Sequence, residues 1–241
     1  MRRSMQLGAL EALFEAVPPS GDVEAYRRAV LEENVIGQAS ASGRLNCWKP
    51  LRSLYRLDPG YAPFALLRGL WPVDPDSHRT LALLAAVAHD PLLRATVPCV
   101  LDAASRREVT NADLAAVVEE RWPGRFARTG LQKVGQCTGS TWREAGYLDA
   151  DRRRIHRTGD VRVSAAAYAF ALGRLAGFTG VALLRSPWTA LLEMSASDAE
   201  ALAGRARAAG LIDYRSMGGV VELGFLPLLP SSKELDASPV P

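Results

Sequence analysis

The chain has 241 residues and a formal net charge of +3, with 48% hydrophobic and 23% charged residues. These are the values of a globular protein with a core, and they exclude a disordered or strongly polyionic chain. Cys47, Cys99 and Cys137 are widely spaced and the histidines are scattered, so neither a disulfide framework nor a metal site is expected. Plentiful alanine predicts a mainly helical protein, and no motif calls for a cofactor.

Neither the N-terminus nor the apolar segments predict a membrane protein. Glu11 and Glu15 interrupt the apolar stretch that a signal peptide would need. Segment 165–184 is the most apolar, yet Arg174 and several glycines lie inside it, and no run reaches the roughly 18 apolar residues of a membrane span. We interpret this segment as a buried helix or helix pair and expect a cytoplasmic protein.

The first hundred residues predict a series of helices. Apolar residues at helical spacing favour helices over residues 7–17 and 22–34. The small-residue stretch 37–43 predicts a loop, and the basic amphipathic segment after it predicts a helix that begins at Pro50, because proline is tolerated in a first turn. Further helices are predicted over residues 61–71, 77–89 and 91–105.

The middle of the chain combines helical and arginine-rich segments. Thr110-x-x-Asp113 is a variant capping box that predicts a helix over residues 110–121. Residues 126–148 predict a helix, a polar turn and a second helix. An arginine-rich, partly extended segment follows, and then an apolar helix is predicted over residues 164–177.

The C-terminal part predicts the end of a winged-helix unit. Ser197-x-x-Glu200 is a capping box that opens a helix, and Gly210 closes it. Two short strands are predicted over residues 211–215 and 220–223, joined by a glycine-rich hairpin turn. A helix followed by such a hairpin is typical of a winged helix.

The predicted fold class is therefore mainly α, with a helical N-terminal half and a winged-helix-like C-terminal half that carries a short β-hairpin. We expect one domain over residues 1–108 and another over residues 109–226. The Pro- and Ser-rich tail over residues 227–241 is expected to be extended or disordered.

The most informative charge pattern lies between Arg121 and Arg157, where nine cations face three carboxylates. Hydroxyl and amide side chains lie among these cations and suit contacts to phosphates or base edges. We expect DNA contacts from a helix-turn-helix-like element and its flank, through Lys133, Thr138, Ser140, Thr141, Arg143, Arg152, Arg153, Arg154 and Arg157. The alternative is a solvated charged face, since 26 of the 29 basic residues are arginines and a GC-rich genome favours arginine codons.

A second basic surface is predicted earlier in the chain. Arg44, Lys49 and Arg52 follow the small-residue loop, with no carboxylate before Asp58. They are candidates for a second set of phosphate contacts. An ordinary solvent-facing helix, with Trp48 and Leu51 turned inward, is the alternative.

No catalytic motif is present, which predicts a protein that is not an enzyme. The sequence lacks the phosphate-binding, nucleophile-elbow and zinc-protease patterns. His89-Asp90 resembles an acid–base pair, but a capping aspartate at the end of a helix explains it better. Glu119-Glu120 is more simply the exposed end of a helix than a metal site.

Four short segments together resemble one family. They are Ser40-Ala-Ser-Gly-Arg-Leu-Asn46, Gly146-Tyr-Leu-Asp149, Ser186-Pro-Trp188 and the segment AGLIDYRSMGGVVEL at residues 209–223. In combination they resemble the BrxA family of BREX bacteriophage-defence systems, loosely over most of the chain. The resemblance implies a small, largely helical protein that binds double-stranded DNA, belongs to a multi-protein defence complex and has no activity of its own.

The function expected from the sequence is therefore non-catalytic binding of double-stranded DNA through phosphate contacts, as an accessory to a bacteriophage-defence assembly with other defence-system subunits as partners. Three alternatives stay open: a protein–protein adaptor within a multi-subunit complex, a winged-helix transcription regulator, and an enzyme with a pocket lined by His89, Glu119 and Glu120.

Overall fold

The computed structural model describes residues 4–155, 161–217 and 220–224. Within them the protein is mainly helical, as the sequence predicts. The chain forms two compact units, one from residues 4–57 and 89–155 and the other from residues 58–88 and 161–224. The predicted boundary near residue 108 lies inside the first unit. A compact unit of the folded chain is not the same as a segment that folds by itself. The predicted domains over residues 1–108 and 109–226 therefore stay a prediction. Residues 227–241 lie outside the described residues.

The first unit is built from helices with short connections. Its helices are α1 (Leu7–Ala16), α2 (Val23–Leu31), α3 (Ala41–Tyr55), α6 (Pro91–Ala95), α7 (Val97–Leu101), α8 (Asn111–Arg121) and α9 (Arg128–Glu144). Asp22 accepts a hydrogen bond from the Ala25 amide at the start of α2, and the predicted capping box of Thr110 and Asp113 opens α8. These caps satisfy amide groups that a helix start leaves without partners, which is why the helices begin there.

Helix α3 begins at Ala41, well before the predicted start at Pro50, so that prediction is wrong. The Ser40 hydroxyl caps the helix by accepting from the Gly43 amide at 3.0 Å. Pro50 lies inside the helix, where its missing N–H leaves the carbonyl of Asn46 without the usual partner. The helix continues because the turns around the proline bury Trp48 and Leu51.

Residues 91–105 also differ from the prediction of a single helix. Helices α6 and α7 replace it, and Thr96 lies between them. Pro98 lies in the first turn of α7, where the backbone N–H that proline lacks would have no partner within the helix. A new helix therefore begins there, and α6 does not continue through the proline. Thr96 is fully buried and its hydroxyl accepts a hydrogen bond from the indole N–H of Trp142 at 2.8 Å.

The second unit surrounds an apolar helix. Its elements are α4 (Ala62–Leu70), α5 (His78–His89, of which His89 is counted with the first unit), α10 (Val163–Leu175), α11 (Pro187–Ala190), α12 (Ala196–Ala208), β1 (Asp213–Met217) and β2 (Val220–Gly224). Residues 164–173 of α10 are buried, as the sequence predicts for this segment. The hydroxyl of Tyr168 donates to the Pro63 carbonyl at 2.9 Å and ties α10 to the start of α4.

The C-terminal helix and hairpin lie close to their predicted positions. The capping box of α12 uses Ser195 and Asp198, two residues before the predicted pair of Ser197 and Glu200. Gly210, at a φ of 71°, ends the helix in the left-handed conformation that glycine favours. Strands β1 and β2 pair antiparallel, and the residues of their turn, 218–219, lie outside the described residues.

In the described part of the chain, no single helix has the length and apolarity needed to cross a bilayer, and only a pair bent by 119°, Val163–Leu175 with Gly180–Ala190, meets the criterion together.

Candidate nucleic-acid interface

Helix α9 is one continuous helix of 17 residues. The predicted helix-turn-helix over residues 126–148 is therefore wrong. Gly135 and Gly139 lie where α9 packs against α8. A Cβ atom at Gly135 would come within 2.0 Å of the Asn111 carbonyl oxygen, and one at Gly139 within 2.4 Å of the Asn111 amide oxygen. The glycines thus permit close packing of the two helices.

The buried side of α9 contains two of the predicted DNA-binding residues. Thr138 is 5% exposed and Thr141 is 2% exposed. Their hydroxyls donate to carbonyls of the same helix, at Val134 and Cys137 respectively. The structure therefore places both threonines in the interior, away from any surface on which DNA would lie.

The opposite side of α9 is polar and faces solvent. Its residues recur at intervals of three and four, which puts them on one face of the helix. They are Thr129, Gln132, Lys133 and Gln136, which are exposed, and Ser140 and Arg143, which are half-buried. We call these six residues the α9 polar face. The spacing from Thr129 to Arg143 corresponds to about 21 Å along the helix axis.

The α9 polar face carries cations and hydrogen-bonding groups but no carboxylate. Arg143 donates to the Ser140 hydroxyl at 3.2 Å, and Lys133 is exposed. The one acidic residue of α9 is Glu144. Its carboxylate accepts from the backbone amides of Gln6 at 3.1 Å and Leu7 at 2.7 Å, so it caps helix α1. The positive charge of this face is therefore not neutralised from within the helix.

Three further arginines lie between the last residue of α8 and the first residue of α9. Arg121, Arg125 and Arg128 are all exposed. Arg121 lies over the Trp122 ring and Arg125 over the Phe126 ring, each with its guanidinium carbon 5.8 Å from the ring centroid. The first turn of α9 has no side-chain cap. Its amide groups and these guanidinium groups together create a positive potential at this helix end.

The predicted arginine flank after α9 divides into different environments. Arg152 lies 3.5 Å from Glu108, and Arg153 is exposed and lies 3.9 Å from Asp151. Arg154 is 1% exposed and donates to the carbonyls of Tyr147 and Ile155. Arg157 lies outside the described residues. The described flank is therefore not an uncompensated cationic surface, because two of its arginines face carboxylates and the third is buried.

The second predicted surface lies on α3. Lys49 and Arg52 are exposed, three residues apart on one side of the helix. Arg44 is half-buried and points in a different direction, since five residues along a helix correspond to about 500° of rotation, or about 140° from Lys49. Arg44 is about 80° from Arg52, since eight residues correspond to about 800° of rotation. The structure thus keeps Lys49 and Arg52 exposed on one side of the helix, while Arg44 is half-buried and turned away from Lys49.

Sequence reasoning missed residues on the same face as Lys133 and Arg143. Thr129 was not among the candidates. Gln132, Gln136, Arg121, Arg125 and Arg128 lie in the predicted basic stretch but were not named as DNA contacts. The signal was available in the sequence as helical periodicity over residues 128–144. It was obscured because a polar turn was predicted within this segment.

The candidate acid–base pair His89-Asp90 and the candidate metal-binding pair Glu119-Glu120 contain residues with local structural roles. The Asp90 carboxylate accepts from the amides of Leu92 at 2.8 Å and Leu93 at 3.3 Å and caps α6. Burial, followed by the charge of Arg56, lowers the pKa of His89 below its ordinary value. Glu119 accepts from the Gly124 amide at 2.9 Å. Among the residues that the structure describes, no group of three or more His, Cys, Asp or Glu side chains is arranged to hold a metal ion.

Comparison with protein-family models, with curated proteins and with solved structures gave no match. The resemblance to the BrxA family rests on the short segments quoted above, and family membership stays a prediction.

Proposed function

We propose that the protein binds double-stranded DNA without catalysing a reaction on it, and that the α9 polar face is the contact surface. The observation that carries this proposal is the composition of that face, where Lys133 and Arg143 accompany amides and hydroxyls with no carboxylate among them. An exposed helix has the width to enter the major groove, which is about 12 Å across. Glutamine, lysine and arginine side chains supply the hydrogen bonds that base edges and phosphates accept.

The arginines at the start of α9 support the same proposal. Arg121, Arg125 and Arg128 lie on the approach to a helix N-terminus that has no side-chain cap. Phosphates bind favourably to such helix ends because the amide groups and the helix dipole both attract negative charge. In this arrangement the arginines and the first turn hold the DNA backbone, and the polar face lies along the groove. Lys49 and Arg52 on α3 would add phosphate contacts.

The proposed setting is an accessory role in a cytoplasmic bacteriophage-defence assembly, with other defence-system subunits as partners. It is supported by the resemblance of four sequence segments to the BrxA family. The α12 helix and the hairpin that follows it support a winged-helix-like character for the C-terminal part, because β1 and β2 pair antiparallel directly after the helix.

Binding to duplex DNA at several salt concentrations tests the proposal. The affinity for a duplex of about 25 base pairs is expected to fall steeply between about 50 and 300 mM NaCl, because each phosphate that the protein neutralises releases counterions. The double variant Lys133→Gln/Arg143→Gln removes two of the proposed cations. It should weaken binding and reduce the slope of log K against log salt by about 0.9 for each phosphate that is no longer neutralised.

A matched control removes the same charge elsewhere. Arg27 and Arg28 are exposed on α2 and lie beside glutamates. The variant Arg27→Gln/Arg28→Gln should keep the wild-type affinity and slope. A flat salt response of the wild-type protein, or equal effects of the two double variants, would contradict the proposal.

A further inference from the structure

A cavity of about 230 Å³ lies beneath helix α9 in the first unit. Its apolar lining includes Leu54 from α3, Leu92 and Leu93 from α6, Phe126 before α9, and Val134 from α9 itself. Thr138 and Thr141 also line it, but their hydroxyls donate to carbonyls of their own helix. These walls therefore offer apolar surface, with little hydrogen-bonding capacity left for water.

The size of the cavity is that of a small organic ring system. An apolar cavity of about 150 Å³ in a protein core stays free of water and is large enough to bind benzene. A volume of about 230 Å³ accommodates a substituted ring or two fused rings. Burial of such a ring against leucine, phenylalanine and valine is favourable in proportion to the apolar area removed from water.

Two charged groups line the cavity, and they are not equivalent. The Asp90 carboxylate is 9% exposed and its Oδ1 accepts from two amides at the start of α6, which stabilise its negative charge. Lys133 is exposed, and within the described residues its ammonium group has no ion-pair or hydrogen-bond partner. The charge that remains to be matched by a ligand is therefore positive.

We propose that this cavity binds a small aromatic carboxylate, with the ring between the apolar walls and the carboxylate on the Lys133 ammonium group. This site shares Lys133 with the proposed DNA contact, but its apolar walls come from residues outside the α9 polar face, and it takes a ring with one anionic group. Lysine and carboxylate form charge-assisted hydrogen bonds, which are stronger than neutral ones. The proposal does not depend on whether the protein binds DNA.

Calorimetric titration with 1-naphthoate, 1-naphthylmethylamine and 1-naphthol, in the absence of DNA, tests the proposal. The full chain should bind 1-naphthoate saturably and at least tenfold more tightly than the amine or the neutral alcohol. The variant Lys133→Met keeps the apolar stem and removes the charge. It should weaken 1-naphthoate binding at least tenfold, which corresponds to about 1.4 kcal/mol. The affinity for 1-naphthol should stay within about twofold, because the neutral alcohol does not depend on the lysine charge.

Variants that fill the cavity provide the second test. A Cβ atom at Gly130 meets only the Cβ of Phe126, at 3.7 Å, so a larger side chain fits there. Gly130→Leu should abolish binding of 1-naphthoate without lowering the unfolding temperature, since leucine has a higher helix propensity than glycine. Val134→Phe serves as an independent variant if Gly130→Leu does not fold. Absence of saturable 1-naphthoate binding to the wild type would overturn the proposal. So would binding that survives both filling variants, or equal binding of the amine.

Discussion

The backbone carbonyl oxygen of Asn111 lies only 2.0 Å from the position that a Cβ atom would take at Gly135. Helices α8 and α9 therefore approach each other at a distance that only glycine allows at this point. Gly135→Ala gains about 1 kcal/mol of helix propensity. It also forces a methyl group against a backbone atom that cannot rotate away, and overpacking of this kind typically costs about 1–3 kcal/mol and occasionally more.

We expect Gly135→Ala to lower the free energy of unfolding by about 1–2 kcal/mol in urea titrations, because a clash with a backbone atom lies at the upper end of that cost and outweighs the gain in propensity. Gly204 in α12 is the matched control. It is exposed, and no atom lies within 4 Å of its Cβ position. Gly204→Ala should raise the free energy of unfolding by about 0.5–1 kcal/mol. Equal stability of the two variants would show that α8 and α9 are not packed this closely.

This packing also explains which parts of the fold the sequence could predict. Local signals were sufficient for α8, whose Thr110–Asp113 box acts within one turn, and for the apolar helix α10. The close packing at Gly135 involves Asn111, which is more than twenty residues earlier in the chain. Nothing near residue 135 in the sequence indicates that a carbonyl lies opposite it, so a glycine that permits close packing resembles a glycine that makes a turn.

The candidate site was predictable to a similar extent. Lys133 and Arg143 were found from their charge and lie on the α9 polar face. The run Arg152-Arg-Arg154 looked uniform in the sequence, yet successive residues of an extended segment point in opposite directions. Arg153 is exposed and Arg154 is buried for this reason. Composition identifies a basic stretch, but only the fold assigns each guanidinium group to solvent or to the interior.

Arg154 is expected to stabilise the fold. Its guanidinium group lies 5.3 Å from the centroid of the Tyr147 ring and donates to the Tyr147 carbonyl. Arg154→Ala removes a fully buried long side chain, its contact with the Tyr147 ring and its hydrogen bonds to the Tyr147 and Ile155 carbonyls, of which the Tyr147 carbonyl keeps the bond from the Ile155 amide. The free energy of unfolding should fall by about 2–4 kcal/mol, as for other large-to-small changes in a core.

Arg153→Ala is the control in the same segment. The side chain is exposed and its ion pair with Asp151 is long, at 3.9 Å, so the change should alter stability by less than about 0.5 kcal/mol. Chemical denaturation of both variants checks the pair. A small effect of Arg154→Ala would contradict the burial of this side chain. A triple alanine variant of residues 152–154 is a poor test of DNA binding, because it also removes the buried Arg154 and thereby destabilises the fold.

Glu144 is expected to hold the start of α1 from the far end of α9. Its two carboxylate oxygens accept from the amides of Gln6 and Leu7, as a local N-cap residue would. Glu144→Ala should destabilise the protein by about 1–2 kcal/mol, which is the usual cost of losing a cap. Glu144→Gln keeps one acceptor oxygen and should have a smaller effect.

Amide hydrogen exchange locates this effect. The Leu7 amide should lose protection in Glu144→Ala and keep part of it in Glu144→Gln. Protection at Leu7 that stays at the wild-type level in Glu144→Ala would mean that the amide has another partner. Glu15→Ala, an exposed change at the other end of α1, is the comparison that should leave this protection unchanged.

His89 should make the stability of the protein depend on pH. Burial and then the charge of Arg56 lower the pKa of His89 below the ordinary value of 6.5, and the charge of Arg94 acts in the same direction. The neighbouring Asp90 raises this pKa, but its effect is smaller than those of burial and Arg56. The unfolded chain therefore binds a proton at a higher pH than the folded chain does.

The sign of the pH effect follows from this order. At a pH above the pKa of His89 in the unfolded chain, His89 is neutral in both states and does not affect stability. As the pH falls below 6.5, His89 is protonated first in the unfolded chain, so the free energy of unfolding decreases. We expect the urea midpoint of the wild type to fall between about pH 7 and pH 5, and the fall to be smaller in His89→Gln, which cannot be protonated. The midpoint of the His89 ring-proton shift in an NMR titration should lie below 6.5. Identical pH profiles of wild type and His89→Gln, or a ring that titrates above 6.5, would contradict the buried, neutral state of this histidine.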